Sequence, residues 1–434
     1  MYHTQKILAG SNMSIIPDQN KTIQDNNSTS WLDQFCMSVL LKKLDNIKIG
    51  FLQLYTDDMV YEFGKVDCAS NIHAVIRVQD MRAFRAIIFG GEPAAGKTYI
   101  DGWWASDDLI EVLRIFTVNR NTLFGFKHGV ASFSRHLNRI INTILRNTIK
   151  GSKRNIKAHY DIGNDLYQLF LDENMMYSSA YFRSPDEDLA SASEYKLKLI
   201  CEKLDLKSSD RVIEIGSGWG GFAIYAAQHY GCHITTTTIS DEQYIHALTS
   251  VKQLGLTDKI SVIKKDYRTL SGSYDKLVSI EMIESVGYQY MNDYFKTCCN
   301  LLKPSGAMLI QSITMSDYLF KHYLNSTDFI RKYVFPGGCL TSMNSMLDAA
   351  AKHTDLTLYH SESFAASYAR TLKLWHQNFN QNKDKVTELG YSSTFIRLWE
   401  YYMKYCQAGF ENRVIDVHHL VFKRPENRFD HLAR

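Results

Sequence analysis

An α/β fold with a parallel, doubly wound sheet is predicted for the larger part of this 434-residue chain. Three observations predict it. From about residue 194, helix-like and strand-like runs alternate in a βαβαβ pattern. A glycine-rich turn at 216–221 joins the first of these strands directly to a helix. Turn signals at Pro304 and Gly306 then introduce a further strand-like run.

Taken in order, residues 11–30 are polar and aperiodic, so 1–30 is expected to be a flexible tail. Trp31 to Leu44 carries Leu32, Phe35, Val39 and Leu40 near helical spacing. Val75–Val78 and Ala86–Phe89 look like strands, the second bounded by Gly90 and Gly91, which suggests a small α/β domain over 31–126. Between Lys127 and Tyr160 there are eight Lys or Arg and no Asp or Glu. Phe133, Leu137, Ile140, Ile141, Ile144, Leu145 and Ile149 form an apolar stripe there. The spacing predicts a basic amphipathic linker helix over 127–158. It can lie on an anionic membrane or pack its stripe on the next domain, and the two are compatible.

Beyond it, a helix is expected at 194–206, a strand at Arg211–Ile215 and a helix at 221–230. A strand at His233–Thr238, a helix at 241–254 and strands at Ile260–Lys264 and Lys276–Ile280 follow. A helix at 290–302 and a strand at Ala307–Ile313 close the alternation. Residues 316–410 read mostly as helices, and His418–Phe422 as a late strand.

Composition excludes several classes. With 45% hydrophobic and 22% charged residues the chain is not wholesale disordered. Eight cysteines, none in a CxxC pair, do not make a disulfide scaffold. The N-terminus lacks an apolar signal core, so a reduced, cytoplasmic setting is expected. No apolar run approaches the roughly 20 residues that span a bilayer, so membrane contact is expected to be peripheral. A formal net charge of +3 is too small to imply a nucleic-acid partner.

Two glycine motifs stand out. Gly91-Glu-Pro-Ala-Ala-Gly96-Lys97-Thr98 satisfies GxxxxGK[ST]. A phosphate cradle needs a helix N-terminus facing the ligand, whereas Asp101-Gly102 signals a turn soon afterwards, so a P-loop NTPase is the distant alternative. Gly216-Ser-Gly218-Trp-Gly220-Gly221 follows a strand and opens a helix. A dinucleotide site wants an acid about 20 positions later, but Thr235–Thr238 stands there. NAD is therefore disfavoured. Glu214, just before the loop, instead suits a site for the cationic cofactor S-adenosylmethionine (SAM). His418-His419 would point to opposite strand faces, which argues against a metal site. Ser179 lacks the GxSxG surroundings of an esterase nucleophile.

His159-Tyr-Asp-Ile-Gly-Asn-Asp-Leu-Tyr167 and Met176-Tyr-Ser-Ser-Ala-Tyr181 resemble the opening of the cyclopropane-fatty-acyl-phospholipid synthases, which include the mycolic acid cyclopropane synthases. The resemblance continues through the glycine loop, Thr238-Ile-Ser-Asp-Glu-Gln243, Lys265-Asp-Tyr-Arg268 and Ser279–Gly287. It ends with Lys332–Leu340 and Tyr368-Ala-Arg-Thr-Leu. The stretch from Gly96 to Leu109 also resembles the N-terminal region of long bacterial members. The resemblance implies a Rossmann-like SAM-dependent methyltransferase domain over 159–434, with a helical cap enclosing an acyl pocket. It also implies methyl transfer to the double bond of a membrane phospholipid acyl chain; with the basic stretch 127–157, the expectation is a protein peripheral on the inner membrane face. A homodimer is compatible with this. Tyr177, Ser178, Gly216, Gly218, Gly220, Thr238, Ile239, Gln243 and Tyr267 would hold SAM, with Glu214 beside them.

Family members hold a bicarbonate ion as base, using a Cys, a Glu, a His, a Tyr and an isoleucine backbone group. Glu284, Tyr368 and Ile313 match this set, while Ser179 stands for the Cys and Gln311 for the His. Serine and glutamine can donate hydrogen bonds to an anion but carry no positive charge. The expectation is a reshaped anion site, and either a cyclopropane or a methylene- or methyl-branched product.

Overall fold

The computed structural model describes residues 30–66, 71–123, 162–428 and 430. The basic stretch 127–158 and nearly all of the N-terminal tail lie outside the described residues.

A four-stranded sheet comes first, built from β1 (Phe51–Tyr55), β2 (Val60–Gly64), β3 (His73–Val78) and β4 (Trp104–Ala105) in the order β2-β1-β3-β4. The helix Trp31–Leu44 starts where the Ser30 side chain accepts from the Leu32 N–H. Ala86–Phe89, expected as a strand, belongs instead to the helix Arg82–Ile100. Its local pattern is short and uniformly apolar, which periodicity cannot assign. Burial of Ala83, Phe84, Tyr99 and Ile100 decides for a helix. Gly91 (φ 65°, ψ −151°) breaks this helix, so Pro93 sits in the first turn of a second segment, where its missing N–H costs nothing.

The candidate P-loop is thereby overturned. Residues 92–98 are wound into the segment that follows the Gly91 break, the Thr98 hydroxyl donates to the Ala94 and Ala95 carbonyls, and Lys97 pairs with Asp101. The segment packs inward: a methyl group at Gly96 would collide with the rings of Phe329 and Tyr401. The apolar core runs without interruption from this N-terminal unit into the helices Ala365–Gln381 and Ser393–Glu411.

The large sheet contains β5 (Arg211–Ile215), β6 (His233–Thr238), β7 (Ile260–Lys264), β8 (Tyr274–Ile280), β9 (Leu302–Met315), β10 (Thr357–Ser363) and β11 (Ile415–Lys423). Their order is β10-β11-β9-β8-β5-β6-β7. β5 to β9 run parallel, while β11 and β10 add antiparallel to one side. β10 interrupts the region expected to be mostly helical, because pairing with β11 gives its backbone partners. Helices Leu189–Lys203, Gly221–Tyr230, Asp241–Gln253 and Met291–Leu301 cover the sheet's faces. From β5 the chain moves outward to β6 and β7, then returns to place β8 on the other side of β5. This makes a topological switch point, outside which ligands bind at the C-terminal strand ends. The turn after β5 and the residues after β8 flank it.

Candidate active site

Along one rim of the switch point runs the glycine turn. Gly216, Gly218 and Gly220 have φ of 96°, 49° and 100°, conformations that favour glycine. The Gly216 and Ser217 N–H groups donate to the Thr237 carbonyl, at 3.0 and 2.9 Å, which ties the turn to β6. A Cβ at Gly216 would press on Met282, 2.9 Å away. At Gly218 nothing lies within 4 Å of an added Cβ. That open apex is what a cofactor approaching the backbone requires. At the end of β6, the Thr238 hydroxyl donates to Gln243 Oε1 (2.8 Å), and Ser240 caps the following helix through the Gln243 N–H. Ile239 between them is half-buried. Tyr267 follows β7, and its hydroxyl is buried with no hydrogen-bond partner, a polar atom left over for a ligand. Residues of this set therefore fit SAM.

Glu214 is placed differently from the expectation. Its side chain is turned into the sheet, where it accepts from the Thr236 hydroxyl at 2.5 Å. Burial pushes its carboxyl up to about 8, and Lys196 opposes that rise. Lys196, fully buried, is itself pushed down to about 8 and donates to Ser178 Oγ at 2.7 Å. Glu214 and Ser178 are thus joined to a buried cation beneath the turn. Tyr177 stacks on Trp375 (centroids 5.3 Å apart), meets Phe335, and exchanges a hydroxyl hydrogen bond with Tyr402 at 2.9 Å.

The second rim follows β8. Glu284 Oε1 accepts from the Ile313 N–H (2.6 Å) and the Ser312 hydroxyl (3.0 Å). Its Oε2 is buried without a partner. Burial first, then the charge of Glu281, pushes this carboxyl up to about 8. The other expected groups gather on Glu281. Glu281 Oε1 accepts from the Ser179 N–H at 2.8 Å and from Gln311 Nε2 at 2.7 Å, while Oε2 accepts from the Tyr368 hydroxyl at 2.6 Å. Burial raises its pKa and these three donors oppose the rise. The Ser179 hydroxyl, expected to face an anion, donates to the Ala180 carbonyl, and only the backbone N–H reaches the site. A serine hydroxyl readily satisfies itself on nearby backbone, which explains the difference.

Glu281 was missed by sequence reasoning. Its one legible signal was a second carboxylate at a strand end, in Ile280-Glu-Met-Ile-Glu284. Its φ of 48°, unusual for a non-glycine residue, shows only in the fold. Among the described residues no cluster of ligands could hold a metal; His418 meets the Thr314 hydroxyl and His419 meets Lys203 and Gln311.

The doubly wound sheet, the glycine turn and the carboxylates facing it define a SAM-dependent methyltransferase. Similarity to known proteins agrees. The family model for mycolic acid cyclopropane synthetase matches residues 147–420, and the chain belongs to that family. It is 36% identical over 335 residues to the tuberculostearic acid methyltransferase UfaA1 of Mycobacterium tuberculosis, covering 74% of this chain and 77% of that one. It is 35% identical over 357 residues to the cyclopropane-fatty-acyl-phospholipid synthase of Escherichia coli, covering 81% and 88%. The solved mycolic acid cyclopropane synthase CmaA1, complexed with SAH and CTAB, superposes with a TM-score of 0.59 at 28% identity, covering 62% of this chain and 98% of that one.

Proposed function

We propose that this chain methylates the double bond of an unsaturated acyl chain in a membrane phospholipid, with Glu281 as the proton acceptor. The observation that carries the reading is the Glu281 carboxylate, which takes up the Ser179, Gln311 and Tyr368 donors at the switch point. Those donors would otherwise hold a free bicarbonate, so no separate anion is needed. The lipid-modifying relatives support the substrate class.

Bound SAM supplies an electrophilic methyl group. Tyr177, Ser178, the Gly216–Gly220 turn, Thr238, Ile239, Gln243 and Tyr267 would hold it, with Glu214 buried beside the turn. The alkene π pair would form the new C–C bond to that methyl as the methyl–sulfur bond breaks and its pair leaves with the neutral thioether, leaving a cation on the neighbouring chain carbon. Tyr177 and Tyr368, packed together around Trp375, surround this region with aromatic rings, which favour positive charge. Glu281 then takes one proton, and the C–H pair neutralises the cation. Loss from the new methyl closes a cyclopropane; loss from a chain carbon leaves a methyl-branched alkene; a 1,2-hydride shift to the cationic carbon followed by loss from the new methyl leaves a methylene branch. The branched product is the second reading. It is favoured because the base is tethered by its own backbone just after β8 rather than carried by a separate anion.

Mass spectrometry of lipids from cells expressing the protein tests both. A gain of CH2 with no unsaturation is cyclopropane, and a gain that keeps a C=C is the branched product. Unchanged lipids would refute the activity.

No helix among the described residues is long and apolar enough to cross a membrane. We place the protein on the anionic inner membrane face through the basic stretch 127–157, at about 1 kcal/mol per well-placed Lys or Arg. Binding to anionic vesicles should weaken with salt and with Arg135, Arg139 and Arg146 all changed to Gln. Salt-independent binding would make the stretch a linker only.

A further inference from the structure

Behind Glu281 a line of buried polar side chains continues away from the switch point. Gln311 on β9 faces His419 on β11 directly across the antiparallel register, and both are fully buried. Gln311 Oε1 lies 2.9 Å from His419 Nε2, and His419 Nδ1 lies 2.9 Å from Lys203 Nζ. Lys203, on the helix Leu189–Lys203, is almost fully buried and also pairs with Glu362 of β10. Glu362 in turn accepts from the Tyr181 hydroxyl at 2.9 Å.

An ammonium group only donates, so His419 Nδ1 must accept. The ring proton is then on Nε2, and that N–H donates to Gln311 Oε1. With its oxygen so engaged, the Gln311 amide can present only its NH2 to Glu281. The opposite orientation would set amide oxygen against carboxylate, and nitrogen against an imidazole N–H. Every hydrogen bond from Lys203 to Glu281 therefore points the same way. The imidazole stays neutral, because burial holds it well below its usual range and Lys203, Lys196, His360 and His418 all add to that.

We propose that His419, with Lys203 behind it, is a positioning residue: it fixes the amide orientation of Gln311 and so keeps the Gln311 NH2 donating to Glu281 and the carboxyl group aimed. This rests on the reading of Glu281 as proton acceptor. It makes Gln311 more than a neutral substitute for a histidine, because the glutamine needs a partner that dictates which end faces the acid.

The test compares His419→Phe, His419→Gln and Glu281→Gln in the full chain, on vesicles of monounsaturated phosphatidylglycerol. His419→Gln retains a donor near the Nε2 position. In His419→Phe, kcat near neutral pH should fall about tenfold and its acidic limb should move up by about one pH unit, with KM for SAM unchanged. His419→Gln should recover most of both. If Glu281→Gln retains the parent kcat, the proton-acceptor reading fails and this inference with it. If Glu281→Gln collapses but His419→Phe keeps the parent kcat and acidic limb, the positioning role alone is overturned. Nitrogen-15 NMR of the unmodified enzyme decides even if His419→Phe does not fold. The His419 signals, assigned by their loss in His419→Gln, should report an unprotonated Nδ1 and a protonated Nε2. A protonated Nδ1 would overturn the proposal.

Discussion

Replacing Glu281 by glutamine removes a charge and a base while nearly preserving shape. Oε1 receives two N–H donors, from Ser179 and Gln311, at 2.8 and 2.7 Å, so the amide oxygen of the new side chain belongs there. The NH2 then faces the Tyr368 hydroxyl, which lies 2.6 Å from Oε2 and can rotate to accept. The two N–H donors therefore stay satisfied, and the Tyr368 proton gives up its carboxylate acceptor. Weaker hydrogen bonds cost about 1–3 kcal/mol, offset by no longer desolvating a carboxylate. Catalysis has no such compensation. Loss of a positioned base lowers turnover by about 10²–10⁴-fold, equivalent to about 3–5 kcal/mol in the barrier. Turnover is read as SAH release on unsaturated phospholipid vesicles, SAM affinity by calorimetry, and folding by thermal melting. The expected result is a collapsed kcat, an unchanged SAM affinity and a similar melting temperature. Glu284→Gln should be far milder, because a carboxyl pushed up to about 8 is mostly protonated at neutral pH and glutamine resembles it. Were Glu281→Gln to lose less than about threefold while Glu284→Gln lost everything, the assignment of the base would be refuted.

Three further outcomes are expected. Between the ordinary glutamate value of 4.5 and about 8, folded Glu284 keeps a proton that the unfolded chain releases, so its contribution to stability falls as pH rises, by up to about 1.4 kcal/mol per unit. Urea unfolding at several pH values should show a shallower fall in Glu284→Gln, and identical slopes would contradict the shift. Gly218→Val should abolish SAM binding by calorimetry at a backbone cost of about 1–2 kcal/mol, since its side chain enters space that the protein leaves open; unchanged affinity would refute the cofactor site. Lys97→Ala loses a partly exposed ion pair with Asp101 worth about 0.3–0.5 kcal/mol and should leave turnover unchanged, whereas a large loss would revive a nucleotide-binding role.

Elements encoded by short-range pattern could be located from the residues alone. β5, β6, β7 and the helix after the glycine turn fall where their hydrophobic runs, turn residues and caps place them. Each of these signals is complete within about ten residues of chain. The glycines at 216, 218 and 220 were legible for the same reason: a tight turn between a strand and a helix restricts backbone angles locally. Motif resemblance then singled out Ser179, Glu284, Gln311, Ile313 and Tyr368 as neighbours, and the fold does bring them around one rim.

Which atoms face one another depends on contacts between segments far apart in the chain. Ala86–Phe89 became helix because its neighbours Ala83, Phe84, Tyr99 and Ile100 found a core shared with the cap, partners no local window contains, while Phe89 itself stays exposed. Glu281 and Glu284 are three residues apart and chemically alike. What separates them is the pairing of β8 with β9 and the approach of Tyr368 from the cap helix. These deliver three donors to one carboxylate and leave an oxygen of the other bare. Ser179 turned its hydroxyl to a neighbouring carbonyl and offered its backbone instead. His419 entered the network through its register opposite Gln311, 108 residues away in the chain. Hydrogen-bond direction and desolvation depend on groups distant in sequence, so the chemistry of this site is set by packing even where its residues can be picked out beforehand.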